Sequence, residues 1–258
     1  MLVYPVYSRR SNGLSIGINL FPGKKQCLFN CPYCEVFPFA SNADFSPDQM
    51  EDDLKDAIAS AQEQSISIKD ICFSGNGEPT LSPAFIDALE KAENIRSKYT
   101  PSSDLVIITN GTGLSQPEIF SALKNAAANP CVNIWLKLDA GTQDWYEKIN
   151  RSPVPFDQHI KIFMEFTSCA PVTIQTMICG VKEECPCDTE IQTWNELVCL
   201  LAEKSGNIRK VQLYGKARPA PEDPLAFELP SANIEERASS LRSAFAKNKI
   251  TVPVEIYL

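Results

Sequence analysis

Histidine is nearly absent: the 258 residues include one, His159. No apolar run is long enough to span a bilayer, so no membrane partner is expected. Met1 to Pro5 lead straight into polar Ser8-Arg9-Arg10, without the pattern of a secretory signal, and a cytoplasmic location is expected. Positive charge is in deficit, with a net charge of −8. That balance argues against a broad nucleic-acid footprint, although Arg9, Arg10, Lys24 and Lys25 leave room for a local anionic site. Internal linkers and low-complexity tracts are missing too, so residues 1–258 are read as one large domain with a C-terminal extension over about 219–258. A hydrophobic content of 44% and a charged content of 22% fit a globular chain with an ample core. The ten cysteines are then expected as reduced thiols serving metal or core. Cys72, Cys131 and Cys199, beside or among apolar residues, read as small core hydrophobes.

What the chain does have is Cys27-Leu28-Phe29-Asn30-Cys31-Pro32-Tyr33-Cys34, three cysteines spaced C-x3-C-x2-C. Three thiolates there can hold three irons of a [4Fe-4S] cube and leave the fourth iron without a protein ligand. A structural zinc site wants four closed ligands. No fourth one is near, because the next cysteine is Cys72 and the single histidine is far along the chain.

Period and punctuation predict one repeating pattern. Leu14 to Leu20 alternates toward a strand ending at Pro22-Gly23, and Ser46-Pro47-Asp48 starts a helix to about Gln64. Strands are expected at Ile68 to Ser74, Leu105 to Thr109, Val132 to Leu138, Val172 to Ile178 and Val211 to Tyr214. Helices are expected over 82–98, 116–127, 143–150, 156–167 and 190–204. A proline-rich loop spans Arg218 to Pro230, then a helix over Ile234 to Lys247 and a short strand at Val252 to Ile256 close the chain. Six strand–helix units predict an α/β fold with a parallel sheet curled into a partial (β/α)6 TIM-like barrel. Right-handed crossovers put every strand C-terminus on one rim, where such barrels build their sites.

The motif residues fall on that rim. The cysteine loop follows the first of these strands, Gly75-Asn76-Gly77-Glu78-Pro79 the second, and Thr109-Asn110-Gly111 the third. Lys137 to Gly141 closes the fourth, Gln175 and Thr176 lie on the fifth, and Tyr214 to Arg218 follows the sixth. With the cysteine loop, the Ser74–Thr80 turn and Trp135-Leu136-Lys137-Leu138-Asp139, the chain resembles the radical S-adenosylmethionine (SAM) superfamily. Together with the Ser8-Arg9-Arg10 start, these segments look like one branch of it, which contains the tRNA wyosine-base synthases and members without a known substrate. The resemblance implies a [4Fe-4S] cluster on Cys27, Cys31 and Cys34 whose open iron chelates SAM. Reductive cleavage would give methionine and a 5′-deoxyadenosyl radical that takes hydrogen from a substrate. A flavodoxin or ferredoxin is the electron donor it implies.

Roles for single residues follow from the same resemblance. Tyr33 matches the aromatic position near adenine, with loop packing as the other reading. Gly75, Asn76, Gly77 and Glu78 match the turn that holds the SAM amino group, with an ordinary strand-to-helix turn as the alternative. Thr109, Asn110 and Asp139 are candidates for the ribose hydroxyls or the methionyl end, or for caps of the following helices. Lys137 sits in an apolar run and shares a strand face with Asp139 by period-two alternation. It reads as half of a catalytic pair, as an amine nucleophile of depressed pKa, or as a rim lysine reaching solvent along its stem. Arg151, Lys216 and Arg218 are basic candidates for an anionic substrate group or a solvated surface. Cys179, Cys185 and Cys187, spaced C-x5-C-x-C, are either ligands of an auxiliary cluster, a zinc site, or free thiols.

Three functions compete on this reading. The first is a radical SAM enzyme acting on a small molecule or another unidentified substrate. The second is a wyosine-type enzyme acting on tRNA. It is disfavoured by the acidity and by the lack of any cysteine before Cys27, since those synthases carry a second cluster ahead of the loop. The third is a non-catalytic metal-binding module, which has no evident need for the Gly77-Glu78 turn.

Overall fold

The computed structural model describes residues 1–258, which divide into two compact units. Unit 1 comprises Met1–Cys27, Pro38–Thr109 and Gly113–Ile134. Strands β1 (Val3–Ser8) and β2 (Gly13–Ile18) form an antiparallel hairpin, and β2 runs parallel to β3 (Ile68–Phe73), which runs parallel to β4 (Asp104–Thr109). Helix α1 (Pro47–Glu63) starts as expected: the Ser46 side chain accepts from the Gln49 amide and Pro47 takes the first turn. Its buried face is Met50, Leu54, Ile58 and Ala61, a helical stripe. Helices α2 (Phe85–Tyr99) and α3 (Pro117–Ala127) follow β3 and β4. The register pairs Ile18 with Phe73 and Phe73 with Ile107, so the segments leaving these three strands emerge at one end.

Strand β5 (Val132–Lys137) begins in unit 1 and ends in unit 2, which comprises Leu28–Phe37, Asn110–Thr112 and Trp135–Leu258. Unit 2 continues with α4 (Gln143–Ile149), α5 (Phe156–Thr167), β6 (Val172–Val181), α6 (Asp188–Ser205), β7 (Ile208–Gly215), β8 (Ala226–Glu228), α7 (Ser231–Lys247) and β9 (Val254–Tyr257). Strands β6 and β7 are parallel, β7 and β9 are parallel, and β8 pairs antiparallel with β6. All ten residues of β6 are buried, the mark of a strand covered on both faces.

The six expected strand–helix units are present, and two strands are additions. Strand β1 is hidden in the sequence by Pro5, which demotes a run to an edge or to no strand. It is an edge strand here, and Pro5 is exposed on it. Strand β8 lies inside the proline-rich loop, and its pairing of Glu228 with Cys179 accounts for β6 running three residues past the expected end. No helix is long and apolar enough to cross a membrane.

Candidate active site

In unit 1, the segment after β2 and the turn after β3 are stapled together. The Asn19 Oδ1 accepts from the amides of Phe21 and Asn76, both at 3.1 Å, and Asn76 Nδ2 donates to the Phe21 carbonyl at 3.3 Å. Gly75 has a φ of +114°, and a Cβ there would stand 2.9 Å from Asn19 Oδ1. One residue before Cys27, the Gln26 amide donates to the Asn76 carbonyl at 3.2 Å, and the Gln26 carbonyl accepts from the Glu78 amide at 2.8 Å. The two chains approach so closely at Gly77 that a Cβ would lie 2.0 Å from the Gln26 oxygen.

Glu78 is 2% exposed, and its Oε1 accepts from the Thr80 amide at 3.2 Å and from the hydroxyls of Thr80 and Thr109, each at 2.6 Å. Thr109 therefore orients Glu78. In unit 2, Asn110 makes a local turn: its Oδ1 accepts from the Thr112 amide at 2.9 Å and the Thr112 hydroxyl at 2.7 Å.

Unit 2 gathers the rest around Asp139, which caps no helix. Its side chain is wholly buried, and its carboxylate accepts from the Tyr33 hydroxyl, from Asn150 Nδ2 at 3.0 Å and from the Met177 amide at 2.9 Å. Lys137 Nζ sits 3.1 Å from Asp139 Oδ1 and donates to the Tyr214 hydroxyl. The ammonium also lies over the rings of Tyr33, at 5.1 Å, and Tyr214, at 4.7 Å. Burial works against the Lys137 charge, but Asp139 and Tyr214 outweigh it and hold the pKa above the ordinary lysine value. The ion pair favours the ammonium form of Lys137 over an amine of depressed pKa, and with 12% exposure little of the side chain reaches solvent. Tyr33 is likewise held in its neutral form, by burial first and the Asp139 charge second.

Cys31, Tyr33 and Cys34 belong to a stretch, 27–46, without helix or strand. The Cys31 thiol accepts a long hydrogen bond from Asn150 Nδ2 at 3.6 Å, and the Asn150 carbonyl accepts from the Asn30 amide at 2.9 Å. Asn150 thus connects the cysteine loop to Asp139, a partnership without a sequence signal. The loop is also anchored by Phe29, whose ring lies 5.5 Å from His159 and 5.8 Å from Tyr146. His159 packs on Phe163 at 4.4 Å, and burial lowers its pKa to about 4. The folded state therefore holds fewer protons than the unfolded chain below pH 6.5, and stability falls as pH drops from 6.5 through 4. Denaturant melts at pH 7 and pH 4.5 should differ by about 2–3 kcal/mol from this group alone. His159→Phe should remove that part of the difference, and an unchanged pH dependence in the variant would reject the assignment.

All ten cysteines are free thiols. Cys179 is buried on β6, whereas Cys185 and Cys187 are exposed. No three His, Cys, Asp or Glu side chains are placed to hold a metal ion, either at Cys179, Cys185 and Cys187 or at Cys27, Cys31 and Cys34. Arg151 pairs with Glu222 at 2.7 Å, Lys216 with Asp223 at 2.8 Å and Arg218 with Glu35 at 3.2 Å. These three cations are thereby engaged within the chain.

Comparison with known proteins bears on the family and the fold. The model of the radical SAM superfamily matches residues 24–190, and the chain belongs to that superfamily. A UPF0026 protein of Helicobacter pylori is 27% identical over 168 residues, which are 62% of this chain and 48% of the relative. The chain thus spans about half the length of that curated relative. Streptococcus suis SuiB bound to S-adenosylmethionine superposes with a TM-score of 0.66 at 14% identity, covering 90% of this chain and 48% of SuiB. TYW1 with a lysine–pyruvate adduct bound gives 0.59 at 16% identity, covering 89% and 73%. These likenesses give the fold: a mixed α/β partial barrel of mostly parallel strands.

Proposed function

We propose that this member of the radical SAM superfamily binds a [4Fe-4S] cluster through Cys27, Cys31 and Cys34 and cleaves SAM to start hydrogen abstraction from a substrate. The observation that carries the reading is the staple between Gly77 and Gln26, which ties the Gly75–Glu78 turn to the residue before the first cysteine. Three thiols outside any disulfide, on a loop free of regular structure, are the donor type such a cluster takes, although they are not gathered as ligands here. When bound, the cluster supplies an electron that splits the SAM sulfonium bond and yields a 5′-deoxyadenosyl radical.

The chain's own residues do the positioning. Glu78 is a carboxylate whose orientation Thr80 and Thr109 fix, suited to the SAM amino group. Gly75 and Gly77 let backbone stand where a side chain would intrude. Asp139 holds Tyr33 within the cysteine loop and keeps Lys137 charged, so the pair offers a fixed ammonium to an anionic group of SAM or substrate. A substrate carbonyl captured by Lys137, as a lysine–pyruvate adduct in the TYW1 structure would suggest, is opposed by that charge, because an ammonium is not a nucleophile. Binding of tRNA is disfavoured by the net charge of −8.

The test is 5′-deoxyadenosine formation by anaerobically reconstituted protein given SAM and dithionite, beside a variant with Cys27, Cys31 and Cys34 changed to Ala. Product from the native chain alone is expected. No product from native protein with a full complement of iron and sulfide would point instead to a binding module. Product from the cysteine variant would remove the cluster assignment.

A further inference from the structure

A cavity of about 390 Å³ lies between α6 and α7 in unit 2, and nothing above uses it. Its wall includes Arg237, which is 5% exposed and has no hydrogen-bond partner at Nε or Nη1. One face of the guanidinium stacks on Trp194, with 4.5 Å from its carbon to the ring centroid. Burial pulls its pKa down to about 10, and the Glu190 charge is its nearest compensation. Both oxygens of Glu190 are engaged elsewhere, by the Gly141 amide and the Thr142 hydroxyl at 2.6 Å each. Asn195 also lines the cavity, 6% exposed; its Nδ2 donates to Ser240 Oγ at 2.8 Å while its Oδ1 has no partner. Turning the amide over exchanges the atoms and still leaves one end unpaired.

Buried guanidinium and amide groups are seldom left without partners, because each lost hydrogen bond with water goes uncompensated. Arg237 and Asn195 both line one cavity, and their unpaired atoms, shut off from solvent in this conformation, define what would fill it once the side chains turn toward it. Arg237 needs acceptors, for which a carboxylate is the natural partner. Asn195 Oδ1 needs a donor. Asp188 and Glu236, both exposed at the cavity, oppose a plain anion and favour a cation beside the carboxylate. Ile178, Ile191 and Leu229 supply an apolar surface. We propose that this cavity binds an apolar α-amino acid, its carboxylate on Arg237, its ammonium toward Asn195, Asp188 and Glu236, and its side chain against Ile178, Ile191 and Leu229.

The site is separate from the one built around Asp139. None of the residues lining the cavity belongs to the cluster of Tyr33, Lys137, Asp139, Asn150 and Tyr214. The amino acid is therefore a second ligand, independent of the SAM chemistry.

Calorimetric titration of the cluster-reconstituted, SAM-saturated chain tests this with L-leucine, L-isoleucine, L-valine, L-methionine and L-phenylalanine. Isovalerate and isoamylamine serve as the carboxylate-only and ammonium-only probes. At least one amino acid should bind, each half-probe at least about tenfold more weakly. Arg237→Met should weaken the amino acid by a similar factor without lowering the ligand-free melting midpoint, since it removes an unpaired buried charge. A merely structural Arg237 would instead lose stability on that change. Should Arg237→Met fail to fold, Ile191→Trp decides, because it fills the cavity and leaves the guanidinium in place. No binding of any of the five up to about 10 mM, binding of isovalerate as tight as L-leucine, or binding that survives Ile191→Trp would each overturn the proposal.

Discussion

Asp139→Ala is expected to lower the unfolding free energy by about 3–5 kcal/mol, because it strands a buried ammonium that the carboxylate had balanced. The carboxylate also serves Tyr33, Asn150 and the Met177 amide, so one substitution orphans donors from four parts of unit 2. Lys137→Met should cost less. The carboxylate left behind keeps three hydrogen bonds, whereas the ammonium stranded by Asp139→Ala keeps one hydroxyl and two ring faces. The pH dependence separates the two variants further. In the native chain the Lys137 pKa is raised, so its contribution is present below the unfolded lysine value and is lost only at more alkaline pH. In Asp139→Ala burial acts without its main opponent and pulls the pKa down. The unfolded state then binds the extra proton, and stability of the variant should rise with pH up to about 10.4. Urea melts of the three proteins between pH 7 and pH 10 measure this. A variant as flat with pH as the native chain would mean that Asp139 does not control Lys137.

The same cluster marks the limit of what the sequence discloses. Lys137 and Asp139 were legible as a pair because two residues apart on a strand means one face, and that geometry needs no tertiary knowledge. Tyr214 and Asn150, the partners that turn the pair into a network, were not. Tyr214 lies 77 residues from Lys137, and their meeting depends on strand register, which no local pattern encodes. The cysteine loop and the Gly75–Glu78 turn were legible since each is contiguous, while the staple between them is tertiary. His159 carried a readable signal: it stands four residues before Phe163 on α5, the spacing of a buried face. Arg237 carried one as well, within a stripe of Ile234, Ala238, Leu241 and Phe245, yet the preceding Glu235-Glu236 gives that turn the look of a solvated face. Residue type outweighed periodicity in the reading; packing reversed the order.

Gly77→Ala is expected to slow SAM cleavage by about 100-fold, the scale on which a misplacement of an ångström acts. The added Cβ would meet the Gln26 oxygen at 2.0 Å, its carbonyl carbon at 2.8 Å and Phe21 Cδ2 at 2.9 Å. Two of these atoms are backbone, and contacts below 3.0 Å essentially never occur, so the Gln26 backbone has to move rather than a flexible side chain. Two hydrogen bonds cross this approach, from the Gln26 amide to Asn76 and from the Glu78 amide to Gln26. Their loss shifts Cys27 on one side and Glu78 on the other, the residues proposed to hold the cluster and the SAM amino group. Gly206→Ala is the contrasting case. Gly206 caps α6 with a φ of +63° and has nothing within 4 Å of an added Cβ. That change should cost about 1 kcal/mol of stability through left-handed strain and leave the chemistry alone. Iron content per chain and the rate of 5′-deoxyadenosine formation, measured for both variants at equal folded fraction, separate crowding from strain. Full iron and a native rate in Gly77→Ala would show that the turn is not coupled to the cysteine loop, and the positioning role given to Glu78 would go with it.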